Sequence, residues 1–269
     1  MRNFDVQRFP AAREIVVDAG YLAAGRHIIH GLVEVDVTRA RELLRRLPAG
    51  DGSRLSFTAF LVASLARAIT ANPTVQAYRD WRRRLVVFHN VDVVTLIEPE
   101  RGAVAIPHIL RSANRKSVRQ LSDEIRAVQA RPEASTQHGG LVALAPRVPR
   151  FVRLLFFWVV KKNPHWFKQI QGTVVLTSVG MFGRGGGWGL GFLPTHTLGL
   201  TVGGIAQKPG VHQGQVTVRE YLHLTISFDH DIVDGAPAAR FVRTLIDLIE
   251  GATLLEKADG PRPSRGMSV

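Results

Sequence analysis

The sequence predicts an α/β fold, an α+β sandwich in which helices cover a mixed β-sheet, and three observations predict it. Helix-like and strand-like runs interleave along the chain. The last three strand-like runs follow one another through short connections, whereas a regular doubly wound sheet needs long crossovers between parallel strands. An apolar helical run then follows the final strand.

The elements read in order as follows. "HIIHGLVEVDV" (27–37) has apolar residues at strand-like intervals, and Asp36 or Thr38 can cap what comes next. "TRARELLRRL" has helical spacing and stops at Pro48, and the turn "PAGDG" leads out of it. "SFTAFLVASLARAITANP" is an apolar helix with Ser56 at its N-cap and Asn72-Pro73 as its stop. "LVVFHNVDVVTLI" (85–97) and "GAVAIPHI" (102–109) read as strands, and "SVRQLSDEIRAVQARP" as a helix ending near Pro132. Residues 132–171 form an atypical insertion, punctuated by prolines and rich in aromatics next to Lys161 and Lys162. The last third reads as strand ("GTVVLTSVG"), glycine-rich loop ("MFGRGGGWGLGF"), strand ("HTLGLTVGGIAQKP"), turn, strand ("EYLHLTISFDH") and helix ("APAARFVRTLIDLIEG"). Residues 1–256 are expected to form one domain, with 257–269 a disordered tail.

Composition narrows the chemistry. The 269 residues include no cysteine, which excludes disulfides, thiolate metal sites and a cysteine nucleophile. The start shows no signal peptide, and the longest apolar run, "LLFFWVV" (154–160), is too short to span a bilayer, so a cytoplasmic setting is expected. The net charge of +13 favours anionic partners. No zinc-finger spacing or aromatic-basic RNA motif accompanies it, so nucleic acid is not the expected partner. The glycine-rich loop lacks the Lys-Ser/Thr of a phosphate cradle, and His27, His30 and His89 have no ligand spacing. No metal is expected, and these histidines, with His196, are read as structural or surface groups.

The chemistry concentrates in "SFDHDIVDGAPAARF". Leu222, Leu224, Ile226 and Phe228 alternate with polar neighbours, so a strand carries His230 to a fixed place at its rim. A histidine held there beside carboxylates suits general-base work, because its unperturbed pKa of ~6.5 lies near neutrality. The same residues also fit a solvated turn.

"SFDHDIVDGAPAARF" resembles the His-x-x-x-Asp-Gly signature of the catalytic core domain of dihydrolipoyl acyltransferases of 2-oxoacid dehydrogenase complexes, a signature shared with the chloramphenicol acetyltransferase-like fold. "GLVEVDVTRARELLRRL", "SFTAFLVASLARAITANPTVQA", "GAVAIPHILRSANRKSVRQLSDEIRAV" and "GTVVLTSVGMFG" resemble successive segments of that domain in the same order. The resemblance implies a homotrimer and acyl transfer between coenzyme A and a second acceptor. That acceptor is a dihydrolipoyl thiol supplied in trans or another small molecule. It implies His230 as general base and Asp234 as an architectural carboxylate paired to an arginine, for which Arg13 is the candidate and Arg8 the alternative. The hydroxyl donor to the oxyanion falls on Thr177 by register, with Ser178 next in line, and strand alternation lets only one of them serve. His230 and that hydroxyl are expected on opposite sides of one subunit interface.

The chain departs from the family in three places. Asp231 follows the histidine where a basic residue is usual, and its carboxylate is expected to point away from the ring. A core without a lipoyl or peripheral-subunit-binding segment ahead of it is expected. The 132–171 insertion is unusually aromatic. It is read as a packing element rather than a lid or, over 151–167, a membrane-surface helix, because apolar residues crowd too many of its faces. The alternative reading is a structural or regulatory homologue that keeps the fold without catalysis. A shell larger than the trimer leaves no sign in the polar tail.

Overall fold

The computed structural model describes residues 3–10, 13–47, 54–98, 106–135, 148–179 and 185–256; the anticipated tail and the turn "PAGDG" lie outside them. The elements are α1 (Glu14–Ala23), β1 (Ile28–Asp36), α2 (Thr38–Arg46), α3 (Phe57–Ala71), β2 (Tyr78–Arg79), β3 (Leu85–Val86), β4 (Val93–Ile97) and β5 (Ile106–Leu110). They continue with α4 (Val118–Ala130), α5 (Arg150–Lys162), α6 (Pro164–Gln171), β6 (Val174–Ser178), β7 (Leu198–His212), β8 (Gln215–Asp229), α7 (Gly235–Gly251) and α8 (Thr253–Glu256), interspersed with short 3-10 turns.

Local chemistry accounts for most boundaries. The Ser56 hydroxyl accepts from the Ala59 N–H at 3.3 Å, and α3 ends at Asn72 before Pro73. Ser117 and Gln120 form a reciprocal capping box that starts α4. The carboxylate of Asp36 accepts from the Thr38 N–H at 2.9 Å, so α2 turns directly off β1. The run at 85–97 is not one strand. It breaks into β3 and β4 because Asn114 and Asp92 divert the backbone: the Asn114 amide oxygen accepts from the Val91 N–H, and the Asp92 carboxylate from the Ser112 N–H.

Six strands form one sheet in the order β1-β8-β7-β6-β4-β5, with the β7–β6 and β6–β4 pairs parallel and the others antiparallel. The mixed sheet is therefore as expected. One connection is longer than anticipated: β6 and β7 run parallel, so the glycine-rich segment crosses over between them. One face of the sheet carries Leu224, Ile226, Phe228, Leu198, Leu200, Val174 and Leu176 into a core completed by α3 and α7. There the Phe228 and Phe241 rings meet edge-to-face at 5.9 Å, and both are buried. The other face carries hydroxyls and imidazole, with Thr201, Thr225, Ser227 and His223 buried. A stretch of the glycine-rich loop lies on that face. Its closeness requires Gly203 and Gly204 at a bulge in β7, since a Cβ there would stand 2.2 Å from the Gly187 oxygen and 2.4 Å from the Gly185 oxygen.

A second small core joins Tyr78, Phe88, Val160 and Phe167, fastening α5, α6 and the β2–β3 hairpin to the sheet. Phe241→Ala, which empties the centre of the main core, is expected to lower unfolding free energy by about 3–5 kcal/mol in urea titration.

Candidate active site

β8 ends where β1 begins, and this register builds the site. Asp229 lies opposite Ile28, and the next N–H, that of His230, donates to the His27 carbonyl at 2.8 Å. The chain then turns tightly, with the N–H groups of Ile232 and Val233 both donating to the Asp229 carbonyl at 3.0 Å. Within that turn the Nδ1–H of His230 faces the Val233 carbonyl at 3.1 Å. A carbonyl can only accept, so the proton sits on Nδ1 and Nε2 keeps its lone pair. The side chain is 45% exposed, which leaves Nε2 open to a substrate proton.

Asp234 occupies the N-cap position of α7 without making a side-chain cap, and its carboxylate is 86% exposed and 3.8 Å from Nδ1 of His230. Its expected ion pair with Arg13 does not form within the chain. Arg13 lies exposed at the start of α1, and among the described residues neither it nor Arg8 meets Asp234. A different arginine holds the turn. Arg26, buried, donates to the Asp229 carboxylate and, at 3.3 Å, to the Leu193 carbonyl. The other oxygen of Asp229 accepts from the Asp231 N–H at 3.2 Å, so one carboxylate ties the turn to the segment ahead of β1 and to the loop ahead of β7. Arg26 escapes a reading of the sequence because only the β1–β8 register brings it opposite residue 229. The sole linear signal is its place two residues ahead of β1.

Asp231 lies in the turn just past β8. Its carboxylate meets Nδ1 of His27 at 2.8 Å. That hydrogen bond raises the His27 pKa above its usual value and holds the Asp231 carboxyl below its own. The unusual residue after His230 therefore has a local partner.

Thr177 and Ser178 separate as strand alternation demands. Thr177 shares its face of β6 with Val175 and Val179 and lines a cleft of about 460 Å³ with Leu190, Phe192 and Leu193, while Ser178 is absent from the cleft lining. His196 also lines the cleft. Its Nε2–H donates to the Gln171 carbonyl at 2.9 Å, and burial pushes its pKa down to about 4, so it stays neutral. Among the described residues no group of three or more metal-ligating side chains occurs.

Sheet geometry keeps His230 and Thr177 apart. Thr177 pairs with Thr201 and Thr201 with Thr225. His230 lies five positions beyond Thr225, so rises of ~3.3 Å and strand spacings of ~4.8 Å put the two backbones roughly 19 Å apart, too far for both to act on one carbonyl.

A family model described as 2-oxoacid dehydrogenases acyltransferase (catalytic domain) matches residues 27–138 and 162–256. The dihydrolipoyllysine-residue acetyltransferase component of the Staphylococcus aureus pyruvate dehydrogenase complex is 26% identical over 263 residues, covering 93% of this chain and 52% of that protein. The chain spans about half the length of the curated relatives it matches. Among solved structures, dihydrolipoamide acetyltransferase of Azotobacter vinelandii superimposes with a TM-score of 0.70 at 17% identity, covering 94% of this chain and 95% of that one. That enzyme has been studied for the role of a serine, a histidine and an asparagine in its catalytic mechanism. A chloramphenicol acetyltransferase superimposes with a TM-score of 0.54 at 14% identity, covering 92% of this chain and 99% of that one.

Two titrations test this geometry. In Asp231→Asn the His27 ring, followed by NMR, should titrate nearer its ordinary ~6.5 than in the parent protein. His196 has a folded pKa below its unfolded one, so the unfolded chain takes up the proton first as pH falls. Its contribution to stability is full above ~6.5 and is lost down to about 4. The loss is roughly 3 kcal/mol, and urea titrations of His196→Gln should lack it.

Proposed function

The chain belongs to the family of 2-oxoacid dehydrogenase acyltransferase catalytic domains, and on that premise we propose that it moves an acyl group between coenzyme A and a dihydrolipoyl thiol. The observation that carries this reading is the tautomer of His230: donation from Nδ1 to Val233 leaves Nε2 as an exposed acceptor at the end of a rigid strand. Nε2 takes the proton from the attacking thiol. The resulting thiolate adds to the thioester carbonyl, and the hydroxyl of Thr177 donates to the tetrahedral oxyanion. Collapse expels the second thiol, which recovers the proton from Nε2. One thioester forms and one breaks, without a change of oxidation state.

The distance between His230 and Thr177 within one chain supports an assembly in which a second copy supplies the hydroxyl, and a homotrimer meets that need. The histidine–asparagine spacing in the Azotobacter enzyme equals that between His230 and Asp234. Here a carboxylate stands in place of that amide, and it is free to take an arginine from a neighbouring subunit. Arg79 and Lys161 lie within electrostatic reach of the Asp229–Asp231 turn, and suit the phosphates of coenzyme A.

With acetyl-CoA and dihydrolipoamide, His230→Ala is expected to lower kcat by ~10²-fold or more. Thr177→Ala should lower it by a comparable factor, ~3 kcal/mol of barrier, and Ser178→Ala should leave it unchanged. Full activity in His230→Ala removes the proposed base. Failure of the parent protein to turn over acetyl-, propionyl- or branched-chain acyl-CoA favours the non-catalytic homologue instead.

A further inference from the structure

Two helices stand outside the family match: α1, ahead of residue 27, and α5, whose residues up to 161 fall between the two matched segments. They are bound to each other. Asp18 on α1 is fully buried and accepts from Nε of Arg153 at 2.6 Å and Nε of Arg150 at 3.2 Å, both on α5. This ion pair fixes which way α5 faces, because turning Arg153 outward would strand a buried carboxylate.

The consequence is a helix turned inside out. Arg153 and Val160 face the protein, and Phe151, Leu155 and Trp158 face solvent, 73%, 58% and 58% exposed. At ~100° per residue, the exposed apolar positions 151, 152, 155, 156, 158 and 159 sweep an arc of about 160°, which Lys162 enters at the C-terminal end of the helix. The crowding of apolar residues seen in the sequence thus lies, within one chain, on an outward-facing stripe.

The charge around the stripe is mainly positive, and the carboxylates of α1, Glu14 and Asp18, both face Arg153. No aspartate or glutamate occurs anywhere from residue 134 to residue 219. Lys161 and Lys162 close the C-terminal end of α5, with the Lys162 ammonium 5.7 Å from the Trp158 ring. The Trp81 N–H donates to the Lys162 carbonyl at 3.1 Å, which sets the β2–β3 hairpin beside the helix. That hairpin adds exposed Trp81, with the Arg82 guanidinium 4.6 Å over its ring, and Arg83. Its one carboxylate, Asp80, is engaged by Arg84.

We propose that the α1–α5 face seats the protein on an anionic membrane surface. In this pose α5 lies in the plane of the interface, its aromatic arc enters the headgroup–acyl boundary, and the surrounding cations meet lipid phosphates. Tryptophan beside lysine and arginine suits that boundary, where one end of the side chain is wet and the other dry. A second copy of this chain fits less well. It would have to bring apolar cover and carboxylates together, and two carboxylates of this face, Asp18 and Asp80, are already engaged by Arg153 and Arg84. A spanning role is excluded for α5 itself, since 13 residues make a helix of about 20 Å against a hydrocarbon core of about 30 Å.

Vesicle flotation of the whole protein tests the proposal, and needs no transfer activity. Vesicles of phosphatidylcholine with about one-third phosphatidylglycerol should bind it at least tenfold better than phosphatidylcholine alone, and added salt should weaken the binding. The triple variant Phe151→Ser/Leu155→Ser/Trp158→Ser should lose binding while keeping the parent's native mass. Arg82→Glu/Lys162→Glu, with the stripe intact, should weaken binding by about tenfold or more, at roughly fivefold per cation removed. Absence of binding, or equal binding to both kinds of vesicle, overturns the proposal. So does a fall in native mass in the triple variant, which would assign the face to contact between copies.

Discussion

The antiparallel ladder between β1 and β8 is the constraint on which the rest of the site depends. Its register sets Ile28 opposite Asp229, so the residues just ahead of β1 and just past β8 are neighbours although some two hundred positions separate them. Three contacts close over that end: the His230 N–H on the His27 carbonyl, Arg26 on the Asp229 carboxylate, and His27 on the Asp231 carboxylate. They order a turn whose own carbonyl, that of Val233, selects the tautomer of His230. A shift of one residue in this register would reverse every side chain of β8 and send Leu224, Ile226 and Phe228 out of the core. The hydrophobic effect therefore enforces the same alignment that places the imidazole. Stability and chemistry share one register.

The second face of the sheet shows the cost of building a cleft on a strand surface. Alternation gives the helices Leu200, Leu224 and Leu176, and leaves Thr201, Thr225 and Thr177 on the other side. Backbone packs close over that face, with Gly191 against the Thr201 side chain. Glycines at 203 and 204 let the loop at 185–187 approach to contact distance, and the Gly204 N–H donates to the Gly187 carbonyl at 2.9 Å. The cleft is bordered instead by residues 190–196 further along the same loop and is mostly apolar, with Thr177 as a hydroxyl within it.

Around this framework the chain carries an addition of opposite logic. The main core puts apolar groups inside and charge outside, whereas α5 turns its arginine inward to a buried aspartate and its aromatics outward. Such an inversion is costly in water unless something covers the apolar arc. Its position next to Lys161, whose pKa is lowered first by partial burial and then by the charge of Arg26, links this face to the turn that holds His230.

Much of the fold was legible because its signals are local. Ser56 and Asn72-Pro73 mark the ends of α3, alternation marks β8, and the order of family-like segments points to the mixed sheet before any coordinate is considered. The identity of His230 as the group to watch was likewise legible, since a strand end, a tight turn and a glycine lie next to it in the chain. That Thr177 and not Ser178 faces the cleft needed the sheet, because alternation says only that they oppose each other. Arg26 as the partner of Asp229 needed the register of two strands distant in sequence. The outward face of α5 was beyond periodicity altogether: a helical wheel shows where apolar residues cluster, but the Asp18–Arg153 pair decides which way that cluster points. The sequence by itself determined the elements and the chemistry within each short segment, since those depend on neighbours along the chain. The tertiary structure alone decided which side chains meet, because ion pairs and cleft walls form between residues that only packing brings together.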